Sequence, residues 1–147
     1  MDPELEVGEV MRTDFVSVKL GDQLDFADTV MRLGRIRHMP VLDGKQLVGV
    51  VSDRDVLAAS LSKVLNFDFA QRKTFMRSVE VNEVMSKDLV SVRPETRLAQ
   101  AAHLMMQCKI GCLPVVDDEG SPVGLVTETD LLRAAFGDDQ ARESSAG

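Results

Sequence analysis

Residues 49–55 read GVVSDRD, and residues 124–130 read GLVTETD. Each heptapeptide is a short apolar run closed by a hydroxyl residue, Ser52 or Thr127, with an aspartate, Asp55 or Asp130, three positions later. A motif written twice in 147 residues points to an internal repeat. Residues 10–43 align with 84–117 at a constant offset of 74, and thirteen of the thirty-four pairs are identical. They include Val10/Val84, Met11/Met85, Asp14/Asp88, the Val-Ser-Val at 16–18 and 90–92, Leu24/Leu98, Ala27/Ala101, Met31/Met105, Ile36/Ile110 and the Pro-Val at 40–41 and 114–115. One extra residue in the second copy, DDEGSP against DGKQ, moves the offset to 75, and the heptapeptides and Leu57/Leu132 then fall into line.

Both copies predict the same elements. Val-Ser-Val is a short strand. Asp22 and Thr96 are N-caps for the next helix. Leu24, Ala27, Met31 and Gly34 in one copy, and Leu98, Ala101, Met105 and Cys108 in the other, have the spacing of a buried helical stripe. MPVLDGKQLVGVVS is two strands split by Asp-Gly, a hairpin signal, and LPVVDDEGSPVGLVT repeats it with a longer turn. Ser52 and Thr127 then open Ala/Leu-rich helices. The order is β-α-β-β-α, twice. The boundaries expected are repeat one at 7–61, a partly helical connection at 62–80, repeat two at 81–136 and a weakly ordered tail at 137–147. The connection carries Phe67, Phe69 and Phe75 with Lys63, Arg72, Lys73 and Arg77, and is too apolar for a free linker. It would pack over a repeat or present a partner surface.

Composition bounds the rest. At 44% apolar and 28% charged residues the chain is of globular type. No apolar run approaches the ~18 residues that would cross a bilayer, and the acidic start lacks the features of a secretory leader. A net charge of −7 argues against a general nucleic-acid binder. Two cysteines make no disulfide framework, and a reduced cytoplasmic setting is the expectation.

The heptapeptide admits a plain reading. Ser-x-x-Asp ahead of a helix is a capping box, in which hydroxyl and carboxylate each accept the other residue's backbone N–H. Three features add a ligand reading. Gly49 and Gly124 weaken a strand and mark close approach of something to the backbone. Met39-Pro40-Val41 and Leu113-Pro114-Val115 supply apolar walls. The hydroxyl and carboxylate lie at a helix N-terminus, which favours oxygen-rich ligands.

The β-α-β-β-α repeat closed by G-h-h-[ST]-x-x-D resembles the cystathionine-β-synthase (CBS) domain, and two in tandem resemble a Bateman module. The resemblance covers roughly 7–61 and 81–136. It implies an α/β (α+β) fold of two repeats packed by pseudo-twofold symmetry, and clefts that bind AMP, ADP, ATP or S-adenosylmethionine without a catalytic cofactor. Carried onto this sequence, it implies that Asp55 and Asp130 accept ribose hydroxyls and that Ser52 and Thr127 contact ribose or phosphate. Val18, Met39 and Pro40, with Val92, Leu113 and Pro114, would surround adenine. It further implies a homodimer, with output on a separate effector protein.

The copies are unequal in charge. Arg35, Arg37 and His38 precede Met39, and Arg54 lies inside the first heptapeptide; the second copy has Lys109, Gly111, Cys112 and Thr129 at those places. Arg37, His38 and Arg54 are therefore expected to serve a phosphate-bearing ligand, with the second site weak or empty. Solvated surface arginines are the plain alternative. His103, Cys108 and Cys112 lack the spacing of a metal site, and Cys108 is expected as a buried member of the apolar stripe. No nucleophile and base pair is apparent, so an enzyme is not expected, and the resemblance implies a regulatory sensor. The alternative is a dimerisation scaffold whose clefts are vestigial.

Overall fold

The computed structural model describes residues 2–64 and 68–137. Phe67 and the expected tail from residue 138 onward lie outside the described residues. The chain forms two compact units. One is Val16–Leu89; the other joins the N-terminal stretch up to Phe15 to the chain from Val90 onward. The sequence repeats and the compact units are thus out of step: residues 7–15 belong with the second repeat, and 81–89 with the first.

The first-repeat unit holds a three-stranded sheet of order β1-β2-β3. Strand β1 (Val18–Lys19) runs parallel to β2 (His38–Asp43), which pairs antiparallel with β3 (Gln46–Ser52). The hairpin turns through Gly44, whose φ of 63° lies in the left-handed region that glycine enters without steric cost. Alternation along β3 buries Leu47, Gly49 and Val51, as a period of two requires. Helix α1 (Leu24–Gly34) lays Leu24, Ala27 and Met31 on the core and stops at Arg35, which is left-handed. Helix α2 (Asp53–Val64) contributes Val56. Helix α3 (Phe69–Ser78), in the connecting segment, is capped by Asp68 and buries Met76 in the same core, with Phe75 packed beside it.

The second-repeat unit repeats this plan with less strand. Strands β4 (Cys112–Val116) and β5 (Pro122–Thr127) form an antiparallel pair. The expected strand at 90–92 is reduced to one parallel bridge, Val92 to Val115. Helix α4 (Leu98–Cys108) buries Leu98, Ala101 and Met105. Helix α5 (Glu128–Leu132) runs into a π-helical turn, Arg133–Gly137. The core is Val7, Val92, Leu98, Ala101, Met105, Leu113, Val115 and Val126.

Two sequence expectations need correction. Asp22 and Thr96 do not cap helices. Asp22 Oδ2 accepts the Lys19 N–H at 2.8 Å and Thr96 Oγ1 the Arg93 N–H at 3.0 Å, so both side chains close the preceding turn. The helix starts are satisfied from elsewhere: Leu24 N–H donates to the Val79 carbonyl, and Leu98 N–H to the Leu5 carbonyl, each at 2.8 Å. The donation is returned from Val81 to Asp22 and from Val7 to Thr96, also at 2.8 Å. These straps are the matching segments EVGEVM (6–11) and EVNEVM (80–85), each a short 3-10 turn in which Glu9 or Glu83 folds back on the first N–H. A backbone clip leaves no side-chain signal in the sequence, whereas Asp22 and Thr96 have the chemistry of a cap. The second correction is Cys108, which is exposed. Helix α4 ends there because Lys109 is left-handed, and Ile110, beyond the turn, packs on the core in its place.

Candidate functional site

In the first-repeat unit the site is built where β3 passes into α2. Ser52 N–H donates to Asp55 Oδ2 at 2.8 Å, and Asp55 N–H to Ser52 Oγ at 3.1 Å. This is the capping box in full, and it orients the carboxylate with Oδ1 left over; among the described residues Oδ1 has no hydrogen-bond partner. The hairpin register sets His38 opposite Ser52 and Met39 opposite Val51. Asp53 N–H donates to the Arg37 carbonyl at 3.0 Å, so the residues before β2 are tied to the start of α2. Arg37 and Arg54 are exposed and form no ion pair among the described residues; His38 is half-buried. Arg35 ends α1 through its backbone.

The second-repeat unit has the same frame. Thr127 N–H and Oγ1–H donate to Asp130 Oδ2 at 2.9 and 3.0 Å, and Asp130 N–H donates to Thr127 Oγ1 at 3.4 Å. Cys112 stands opposite Thr127 and Leu113 opposite Val126. Here Asp130 Oδ1 is occupied as well: Arg12 Nε donates to it at 3.0 Å, and Arg133 Nη1 lies 3.6 Å away. Asp130 is 3% exposed, against a half-buried Asp55. Burial, and after it the charge of Asp130, pushes the Cys112 thiol up to about 12.

The glycines have a cause inside each unit. A Cβ on Gly49 would lie 2.6 Å from Met85 Sδ and 2.8 Å from the Ser86 carbonyl oxygen. On Gly124 it would lie 2.6 Å from Met11 Sδ and 3.1 Å from the Arg12 carbonyl oxygen. What approaches the backbone is therefore the methionine of each strap, and the glycine alone does not call for a ligand.

The apolar residues expected around adenine are core residues. Val18 and Met39 belong to one hydrophobic cluster, Val92 and Leu113 to the other; Met39 and Leu113 are 0% exposed, and Pro40 and Pro114 are buried with them. Within each unit these side chains brace the strand beside the motif, and it is backbone that they bring near Ser52 and Thr127. Arg12 and Ser86 are the site neighbours that the motif does not reveal, while Cys112 stands where the first copy has His38. Arg12 and Ser86 occupy equivalent places in the repeat, and that mismatch was the available signal. Among the described residues no three His, Cys, Asp or Glu side chains gather as a metal site.

A model of the CBS domain matches residues 7–62 and 81–137. A CBS domain-containing protein of Dictyostelium discoideum is 31% identical over 127 residues, covering 86% of this chain and 88% of that one. The inosine-5'-monophosphate dehydrogenase of Korarchaeum cryptofilum is 34% identical over 119 residues, which is 81% of this chain but 22% of the enzyme. Among solved structures, CBSX2 in complex with AMP superposes with a TM-score of 0.74 at 31% identity, covering 91% of this chain and 98% of that one.

Proposed function

The chain belongs to the CBS-domain family, as a tandem pair, and on that premise we propose that it is a regulatory sensor of adenine nucleotides of the AMP, ADP or ATP type, with no catalysis of its own. Asp55 carries the reading. Its carboxylate is held by Ser52 through one oxygen and keeps the other without a partner among the described residues. A half-buried, preoriented acceptor beside backbone groups suits the two hydroxyls of a ribose. The likeness to CBSX2, whose structure holds AMP, supports the same ligand class. Arg37 and Arg54, exposed and without ion-pair partners among the described residues, would meet phosphate, and His38, set opposite Ser52, would lie beside it. Regulation would follow from differential affinity: a nucleotide stabilises the arrangement it binds best, in a homodimer read by an effector protein.

Hydrogen bonds from hydroxyls to a carboxylate contribute about 1.5–3 kcal/mol each, so removing the acceptor weakens binding roughly tenfold or more. The test is thermal unfolding with AMP, ADP, ATP and S-adenosylmethionine, on the protein and on Asp55→Asn. The amide keeps an oxygen for the Ser52 N–H and replaces the free acceptor by a donor, so the cap survives while ribose recognition does not. At ~100 times its dissociation constant a ligand adds ~2.7 kcal/mol, and the shift should vanish in Asp55→Asn. The capping boxes and the methionine contacts of Gly49 and Gly124 account for the motif without any ligand, so the second reading is a homodimerisation scaffold. No shift with any nucleotide would remove the first reading and leave the second.

A further inference from the structure

The two carboxylates of the motif face different neighbours. Arg12 is fixed beside Asp130 by a pair of backbone bonds with Leu125, at 2.9 and 3.0 Å. Ser86 makes the matching pair with Val50, at 3.2 and 2.9 Å, in the other unit. The straps are alike in backbone and differ in what they carry at this point: a guanidinium in one and a small hydroxyl in the other. Arg12 Nε takes Asp130 Oδ1, Thr127 takes Oδ2, and the carboxylate is closed from solvent. In the first-repeat unit nothing takes Asp55 Oδ1 among the described residues.

We propose that Arg12 is the residue that sets selectivity between the two sites, by occupying in cis the acceptor that Asp130 would otherwise offer to a ribose. This rests on the reading of Asp55 and Asp130 as ribose acceptors. A ribose diol brings only O–H donors, and a guanidinium is a charged donor already at hydrogen-bond distance. The charged donor wins the same lone pairs, so the first site fills while the second stays shut. Arg133 Nη1 lies 3.6 Å from the same oxygen, beyond hydrogen-bond distance while Arg12 is in place.

Titration calorimetry with AMP and with adenosine, which lacks the phosphate, tests this on four proteins: the unaltered chain, Asp55→Asn, Arg12→Ser and the double variant. Arg12→Met, which keeps most of the stem and loses every donor, repeats the series in case the serine fails to fold. The unaltered chain should bind one equivalent per chain, and Asp55→Asn should weaken it at least tenfold. Arg12→Ser should bind two. The double variant should bind one, at least tenfold more tightly than Asp55→Asn alone, and Asp130→Asn should abolish that gain for both ligands. A double variant no better than Asp55→Asn overturns the proposal and leaves the first site standing. Weaker binding of AMP but not adenosine in Arg12→Ser also overturns it, by making Arg12 a phosphate ligand. Binding that appears only when Arg12 is replaced removes the reading of the first site and overturns Arg12 as a selector between two sites. Silence in every protein overturns both.

Discussion

Met85 lies where the β-carbon of residue 49 would be: a Cβ built there comes within 2.6 Å of its Sδ. Gly49→Ala should therefore destabilise the protein by about 1–3 kcal/mol, the usual cost of overpacking. Urea unfolding of Gly49→Ala, Met85→Ala and the double variant checks it. The double variant should recover part of the loss, since shared contacts make the costs non-additive. Recovery should be incomplete, because the Ser86 carbonyl oxygen stands 2.8 Å from the same point. Gly21→Ala, with nothing within 4 Å, is the control and should be close to neutral.

Val7 is fully buried in the second-repeat core although it opens the first repeat in sequence. Val7→Ala should cost about 1–3 kcal/mol. Hydrogen exchange should place the loss in α4 and β4, with α1 and β2 unaffected. Equal loss in both units would contradict this assignment of the N-terminal strap.

Cys112 makes stability fall at alkaline pH. The buried thiol is pushed to about 12 from an ordinary 9.0, so the folded state holds its proton where the unfolded state has released it. Its contribution is fully present below about pH 9 and is lost as pH rises toward 12, at up to ~1.4 kcal/mol per pH unit. Cys112→Ala should flatten that limb relative to the unaltered protein. Asp130→Asn should flatten it less, because charge is the smaller of the two causes.

The two thiols should also separate by reactivity. Cys108 is exposed at the end of α4 and Cys112 is buried with a raised pKa. Only thiolate reacts at an appreciable rate, so iodoacetamide at pH 8 should label one cysteine per chain quickly, and Cys108→Ser should remove that label. Fast labelling of Cys112 would refute the burial described here.

Much of this was legible from periodicity. Leu24, Ala27 and Met31, with Leu98, Ala101 and Met105, are the buried stripes that their spacing required. The hairpins and both capping boxes stand where Asp-Gly and [ST]-x-x-D placed them. What stayed hidden were backbone and long-range relations. The clip from Val79 to Leu24 uses a carbonyl, which every residue has, so Asp22 looked like the better cap. Cys108 continues the stripe by count, but the left-handed turn at Lys109 ends the helix before another buried position. The ion pair of Arg12 and Asp130 spans 118 residues, and no local pattern records it.

The strap exchange also fixes an order of assembly. Val16–Leu89 is one uninterrupted stretch and holds everything its own unit uses, so it can close as soon as it has been synthesised. Residues 7–15, which are made before that unit, have no such option. Val7 needs the carbonyl of Thr96, and Arg12 needs Leu125 and Asp130. These residues must wait through the making of the whole first-repeat unit before their partners exist. A segment made ahead of the first-repeat unit thus finds its place only after that unit is complete.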